Sequence, residues 1–331
     1  MIYDDILDGI LITEGLGKTV PLSYSFDKTP KNENDQIKYL LSLRTSAKYL
    51  WNSYQNQKVN TDYSTKNTQN CYLLRYFLPY SNLLTEELNK LKKNQNINVF
   101  GNKNKLNNID NLTVSFFGCG PAPEIIGLLR HLKSSMKPSI ETLEVNLFDI
   151  YSKSWKHSID IVTKHVMPNF DSCYKERKIK SYTADFSSSK FWTASNSTNI
   201  SKSNLVVFQN CLNEINDDLK RNQVVENIGF IIKSLSKNSI IIFIDQSIGK
   251  YNNSSDYILE SIQSLAIEKS RDLGVFQLHQ DNELNCRESN KKIPEMVNNY
   301  LYYVNKRITK ENDGLILRNK VEYSSLIIER Q

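Results

Sequence analysis

The stretch Ser115–Leu132, SFFGCGPAPEIIGLLRHL, decides the reading of this chain. The apolar run Leu112–Phe117 passes directly into Gly118 and Gly120, and a helical pattern follows from about Pro123 to Lys133. Glycine lets the backbone turn tightly and approach a ligand without a Cβ clash. Proline suits the first helical position, where its missing N–H costs nothing. The free N–H groups and positive dipole end of the helix then face whatever the loop holds. Strand, glycine turn and helix in this order form a nucleoside-binding loop; the bland alternative is a turn with no ligand.

Downstream, short apolar runs alternate with helical segments. Leu143–Phe148 is a strand ending at Asp149, with a helix over about 154–166. Ile179–Ala184 ends at Asp185, Leu205–Gln209 is a fourth strand, and Ser239–Ile244 a fifth. Helices are expected at Val224–Leu235 and 256–269, and Val275–Leu278 and Ser325–Ile328 are further strands. Alternation of this kind builds an α/β, doubly wound, mostly parallel sheet with ligand at the strand C-termini. Upstream, 35–54 and 70–93 carry helical spacing, with Pro79 marking a break or a new helix start, 55–68 a loop and 92–111 an Asn- and Lys-rich linker. The expected organisation is a helical N-terminal region over 1–105 and a Rossmann-like domain over 106–331. The latter has an insertion at about 281–323 that includes a helical-looking 294–307.

The carboxylates narrow the ligand. A dinucleotide fingerprint needs a third small residue where Pro123 stands, and expects its acidic residue about 20 positions on. Asp149 instead follows Gly120 by 29 residues. That spacing favours S-adenosylmethionine (SAM) over NAD: Asp149 can accept both ribose hydroxyls and Asp185 the adenine amine. Each also has a structural reading, Asp149 as a helix cap and Asp185 as a strand-end residue.

Residues of about 110–250 resemble the class I SAM-dependent methyltransferases. GCGPAPE (118–124) is similar to their first motif, LFD (147–149) to the end of their second strand, TADF (183–186) to their adenine-site motif and LVVFQNCLNEI (205–215) to their fourth motif. The resemblance implies SAM as cofactor, contacted by Gly118, Cys119, Gly120, Pro121, Glu124, Asp149, Asp185, Gln209 and Asn210. Asn213, Glu214 and Tyr80 become candidates for the acceptor pocket, and no catalytic residue is assigned. Two features depart from the family. Its third loop glycine is absent, and Ser115, Phe116 and Phe117 stand where an acidic residue often holds the SAM amino group, leaving Glu124 as the substitute. Cys211 reads as a buried thiol rather than a nucleophile, because Asn210 precedes it where pyrimidine-attacking relatives carry proline. The aromatic run YLLRYFLPY (72–80) either covers the active site or forms the core of the helical region.

Composition fits this reading. With 331 residues, 39% hydrophobic and 24% charged, the chain is globular in kind and can bury a full core. Five scattered cysteines without a CxxC and four histidines without metal-ligand spacing argue against a disulfide framework or a metal site. No run of 18 apolar residues occurs and the N-terminus lacks a basic region, so a cytoplasmic protein without a membrane span is expected. The net charge of +6 permits an anionic partner such as RNA without demanding one. The expected function is a SAM-dependent methyltransferase whose acceptor is a small molecule, RNA or protein. The alternatives are a methyltransferase-like binding subunit without turnover and an NAD-linked oxidoreductase.

Overall fold

The computed structural model describes residues 2–19, 31–55, 61–93, 110–134, 140–215, 217–246, 254–268, 273–301, 315 and 320–330. The chain divides into two compact units, neither continuous in sequence: 1–80 with 154–169 and 285–320, and 81–153 with 170–284 and 321–331. Among the described residues no helix is long and apolar enough to cross a membrane.

The first unit is helical: α1 (Ile2–Thr13), α2 (Lys31–Ser42), α3 (Arg44–Gln55), α4 (Lys66–Tyr72), the start of α5 (Leu78–Lys93), α7 (Lys156–Ile161), α11 (Arg287–Asn290) and α12 (Glu295–Tyr300). The helix expected over 35–54 is two helices, because the Leu43 N–H is shared between the carbonyls of Tyr39 and Leu40 and tightens the turn. Leu40, Leu43, Ala47 and Leu50 are buried on both sides of that turn, so the apolar spacing runs through it unbroken. Before Pro79 the chain forms a wide π-type turn, Leu73–Phe77. Proline has no N–H for the carbonyl four residues back and its ring crowds it, which the wider turn absorbs. Gln69 ties the segment after Lys153 to these helices. Its Nε2 donates to the carbonyls of Tyr63 and Ser154, at 2.8 and 2.5 Å, and its Oε1 accepts from Ser158 N–H and Oγ. Of the helical-looking 294–307, residues 295–300 form α12, while 302–314 lie outside the described residues, as do 94–109 of the expected linker.

The second unit is the Rossmann-like α/β sheet expected from the alternation. Its strands are β1 (Asn111–Phe117), β2 (Ile140–Asp149), β3 (Tyr174–Thr183), β4 (Leu205–Gln209), β5 (Ile240–Gln246), β6 (Leu273–Asn285) and β7 (Lys320–Arg330), ordered β3-β2-β1-β4-β5-β7-β6. The pairs from β3 through β5 are parallel, and β7 runs antiparallel to β5. Helices α6 (Pro123–Ser134), α8 (Ala194–Ser201), α9 (Asp218–Ser234) and α10 (Ser254–Glu268) connect them. β3 starts five residues before the apolar run because it is the sheet edge. Its Lys175 and Lys180 pair with Glu141 and Glu144 of β2 instead of burying apolar surface, a common way of blunting an edge. The helix α8 escapes a periodicity search because Ile200 is its buried residue and the Thr193 cap fixes its start.

One row of rings crosses the sheet just below the strand C-termini. Tyr182, Phe148, Phe117, Phe208 and Phe243 are register partners on β3, β2, β1, β4 and β5. They stack with centroids 4.9, 4.9, 4.5 and 5.1 Å apart. The row lies in the core that α9 and α10 cover. Truncating its central ring, Phe117→Ala, removes two stacks and opens a cavity, so guanidinium unfolding should show a loss of about 3–5 kcal/mol.

Candidate functional site

In an open parallel sheet, ligands bind beyond the strand C-termini where the strand order reverses. Here that point lies between β1 and β4, flanked by the turn after Phe117 and the turn after Gln209. Gly118, Gly120 and Ala122 take positive φ of 59°, 49° and 59°, so the loop is a succession of left-handed turns into α6. A Cβ at Gly118 would sit 2.3 Å from Cys211 Cβ. Glycine is therefore required twice over, for its φ and for the contact between the β1 and β4 turns.

Asp149 closes the loop from β2. Its Oδ2 accepts from Gly120 N–H at 2.9 Å and its Oδ1 from Tyr151 N–H at 2.7 Å. The residue is 7% exposed. Burial pushes its carboxyl upward, opposed by those two N–H groups. Each oxygen keeps a second lone pair, so the grip on the loop and acceptance from a ligand hydroxyl are compatible. Glu124, in the first turn of α6, is 2% exposed, and its Oε2 has no hydrogen-bond partner. Burial first, then the nearby Asp149, holds its carboxyl well above the usual range.

The turn after β4 has its own anchor, which the sequence reading passed over. Asp245, near the end of β5 and fully buried, accepts on Oδ2 from the N–H groups of Cys211, Leu212 and Asn213 at 3.0, 2.6 and 3.3 Å. Its Oδ1 accepts from Gln246 N–H at 2.8 Å. Desolvation outweighs these donors and pushes its pKa up to about 7. The signal in the sequence was a carboxylate closing the apolar run IIIFIDQ, in register one place beyond Gln209 and Ile244.

The remaining candidates fall as follows. Cys119 and Cys211 are buried thiols pushed well above their ordinary range by burial and by surrounding carboxylates, which leaves them protonated and poorly nucleophilic. Pro121 is buried in the loop and Gln209 is buried at the end of β4. Asn210 adopts φ 53°, and both atoms of its amide are buried without a partner, as is Oδ1 of Asn213. Glu214 is exposed, yet enclosure by protein, then Asp149 and Asp245, pushes its carboxyl up to about 8. Asp185 is engaged locally, its Oδ1 accepting from Ser187 N–H and Oγ. Tyr80 belongs to the helical unit, 1% exposed and stacked on Tyr76.

No family model matches the chain, and no curated protein matches it. Solved structures with a similar fold include loganic acid methyltransferase with SAH, at 11% identity and TM-score 0.41 over 83% of this chain and 98% of that one. Mitomycin 7-O-methyltransferase MmcR aligns at 10% identity and TM-score 0.39 over 95% of this chain and 76% of that one. TehB from Haemophilus influenzae aligns at 11% identity and TM-score 0.36 over 66% of this chain, which spans 58% of TehB. Identities and scores this low carry no inference about acceptor or activity.

The Asp245 anchor is directly measurable. Asp245→Ala strands three or four N–H groups and should cost about 3 kcal/mol or more in urea unfolding. Because its folded pKa is raised to about 7, the folded chain holds a proton that the unfolded chain releases near pH 4. Wild-type stability therefore falls as pH rises between those values. Asp245→Asn should lack that component, so its stability relative to wild type improves from pH 4 to 7.

Proposed function

We propose that the glycine loop and its two carboxylates bind S-adenosylmethionine, and that the chain is a methyltransferase. The observation that carries this is Glu124: a buried carboxyl whose Oε2 has no hydrogen-bond partner, in the first turn of the helix that follows the glycine loop. A dinucleotide would bring a pyrophosphate to such a helix start, facing Glu124 and Asp149. Any ionised acid there would repel it, by about 4 kcal/mol for like charges about 4 Å apart at an effective dielectric near 20, and a protonated Glu124 would gain no charge pairing from it. A ligand with an ammonium group and ribose hydroxyls meets the same two residues favourably, the ammonium at Glu124 and the hydroxyls at Asp149.

Glu124 also answers the absent first-strand acid. Phe117 stands there with its ring committed to the aromatic row, and the carboxyl enters from the helix instead. SAM when bound supplies a methyl group on a positively charged sulfur. The chain's part is then to hold the cofactor, align an acceptor beside the β4 turn and exclude water, which needs no dedicated acid or base. The reading without turnover differs only in lacking an acceptor, and a labelled-methyl transfer assay separates the two.

Calorimetry with S-adenosylhomocysteine, 5′-methylthioadenosine and NAD tests the assignment. Micromolar S-adenosylhomocysteine binding with no NAD binding is expected, and Asp149→Ala should weaken it by about ten-fold or more. Glu124→Gln should cost about ten-fold for S-adenosylhomocysteine and little for methylthioadenosine, which has no ammonium. Since the raised Glu124 carboxyl must lose its proton to receive a cation, wild-type affinity should rise with pH and the variant's should not. If wild-type protein takes up no nucleoside at all, the proposal is wrong.

A further inference from the structure

We infer that Asn227, midway along α9, is a positioning residue for the base end of the nucleoside site: it holds the turn 184–188 so that Asp185 presents a carboxylate oxygen to an exocyclic amine. This rests on the SAM reading above and assigns how that site selects its base.

The strand order places the turn. From the reversal point the strand ends run β1, β2, β3, and Asp149 stands in register with Thr183. Beyond that pair the Ala184 N–H donates to the Asp149 carbonyl at 3.2 Å, and the Ser152 and Thr183 hydroxyls bond to each other at 2.7 Å. A ligand with its ammonium at Glu124 and its ribose at Asp149 is laid along that order, so its base reaches the β3 turn. Asp185 Oδ1 accepts from Ser187 N–H and Oγ at 2.9 and 2.6 Å, and among the described residues no donor reaches Oδ2. A carboxylate oxygen accepts and cannot donate, so it suits an amino group and not a ring carbonyl.

What fixes the turn from outside is Asn227. Its Nδ2 donates to the carbonyls of Phe186 and Ser188, both at 2.9 Å, which uses the two hydrogens an amide nitrogen carries. Those carbonyls flank Ser187, the residue whose N–H and hydroxyl hold Asp185. Asn227 therefore grips the turn on either side of the group that aims the carboxylate. The Phe186 ring adds a second hold, edge-on to Phe117 and Phe208 at 6.4 and 5.8 Å.

The position is otherwise an apolar one. Val224, Asn227, Ile228 and Ile231 fall at the spacing of one helix face, and the three apolar members enter the core beneath the sheet. Asn227 is buried with them. Asparagine is a poor helix former and a buried amide has to be paired, whereas leucine or isoleucine would extend the apolar face without either demand. The two N–H groups are what an apolar side chain cannot supply, and both go to this turn.

The test titrates the full chain by calorimetry with S-adenosylhomocysteine and with S-inosylhomocysteine, in which a ring carbonyl replaces the 6-amino group. Wild-type protein should prefer the adenine ligand by about ten-fold or more. Asp185→Asn, whose amide can donate to a carbonyl, should bring the two affinities within about three-fold of each other. Asn227→Ala should narrow the ratio likewise, because the turn that aims Asp185 loses its hold. Ile228→Val, a truncation on the same helix that also lowers stability, should leave the ratio at its wild-type value. Should Asn227→Ala not fold, Asn227→Ser keeps one donor and should give a ratio between those of wild type and Asp185→Asn. A wild-type ratio in the Asn227 variant, even with both affinities lowered together, reduces Asn227 to a structural clamp and overturns the inference. So does a wild-type ratio in Asp185→Asn, equal binding of both ligands by wild-type protein, or an Ile228→Val effect as large as that of the Asn227 variant. Failure of wild-type protein to bind S-adenosylhomocysteine overturns the SAM reading itself, and the base assignment falls with it.

Discussion

A single buried carboxylate, Asp245, holds the β4 side of the candidate site in place. Three consecutive N–H groups of the turn after β4 converge on one of its oxygens, which fixes the backbone there without drawing on the Asn210 amide. Asp149 does the equivalent for the glycine loop, through one N–H of Gly120. Each turn is thus secured from the neighbouring strand rather than by its own contacts. The arrangement lets polar side chains remain unsatisfied without the backbone rearranging to satisfy them. Buried charge is costly, and both acids bear that cost as raised pKa values. What the cost maintains is two turns of fixed shape at the same edge of the sheet.

The sequence made the sheet legible where strands are buried on both faces, because such strands read as apolar runs. β1, β4 and β5 stand close to their expected bounds for that reason. It was poorest where local pattern and environment part company. The charged first half of β3 is a strand because β2 offers it hydrogen bonds and ion pairs, which no window of residues reveals. Leu43 interrupts a helix without interrupting its apolar spacing. The discontinuous membership of the helical unit, drawing on 154–169 and 285–320, is a fact about contacts and not about composition.

The candidate site divides in the same way. Gly118, Gly120 and Asp149 could be named because a turn that needs glycine and a strand that ends in an acid leave local marks. Asp245 could not, since its role depends on the turn after another strand lying one place away in register. Glu124 was visible as a residue but not as a condition. That its carboxyl is buried and its Oε2 lacks a partner follows from packing around the start of α6.

The row of rings beneath the strand ends has a consequence for how such a protein can change. Five strands locked by stacked aromatic partners cannot slide past one another without breaking several contacts together. The heights at which β1, β2, β4 and β5 deliver their turns are therefore set from below. Turns mounted on a level platform can be lengthened, shortened or exchanged one at a time while their neighbours keep their positions. The glycine loop with Asp149, on the β1 and β2 turns, and the β4 turn are in this sense separable parts. Side chains at 210–214 can be exchanged while the glycine loop and Asp149 keep their places.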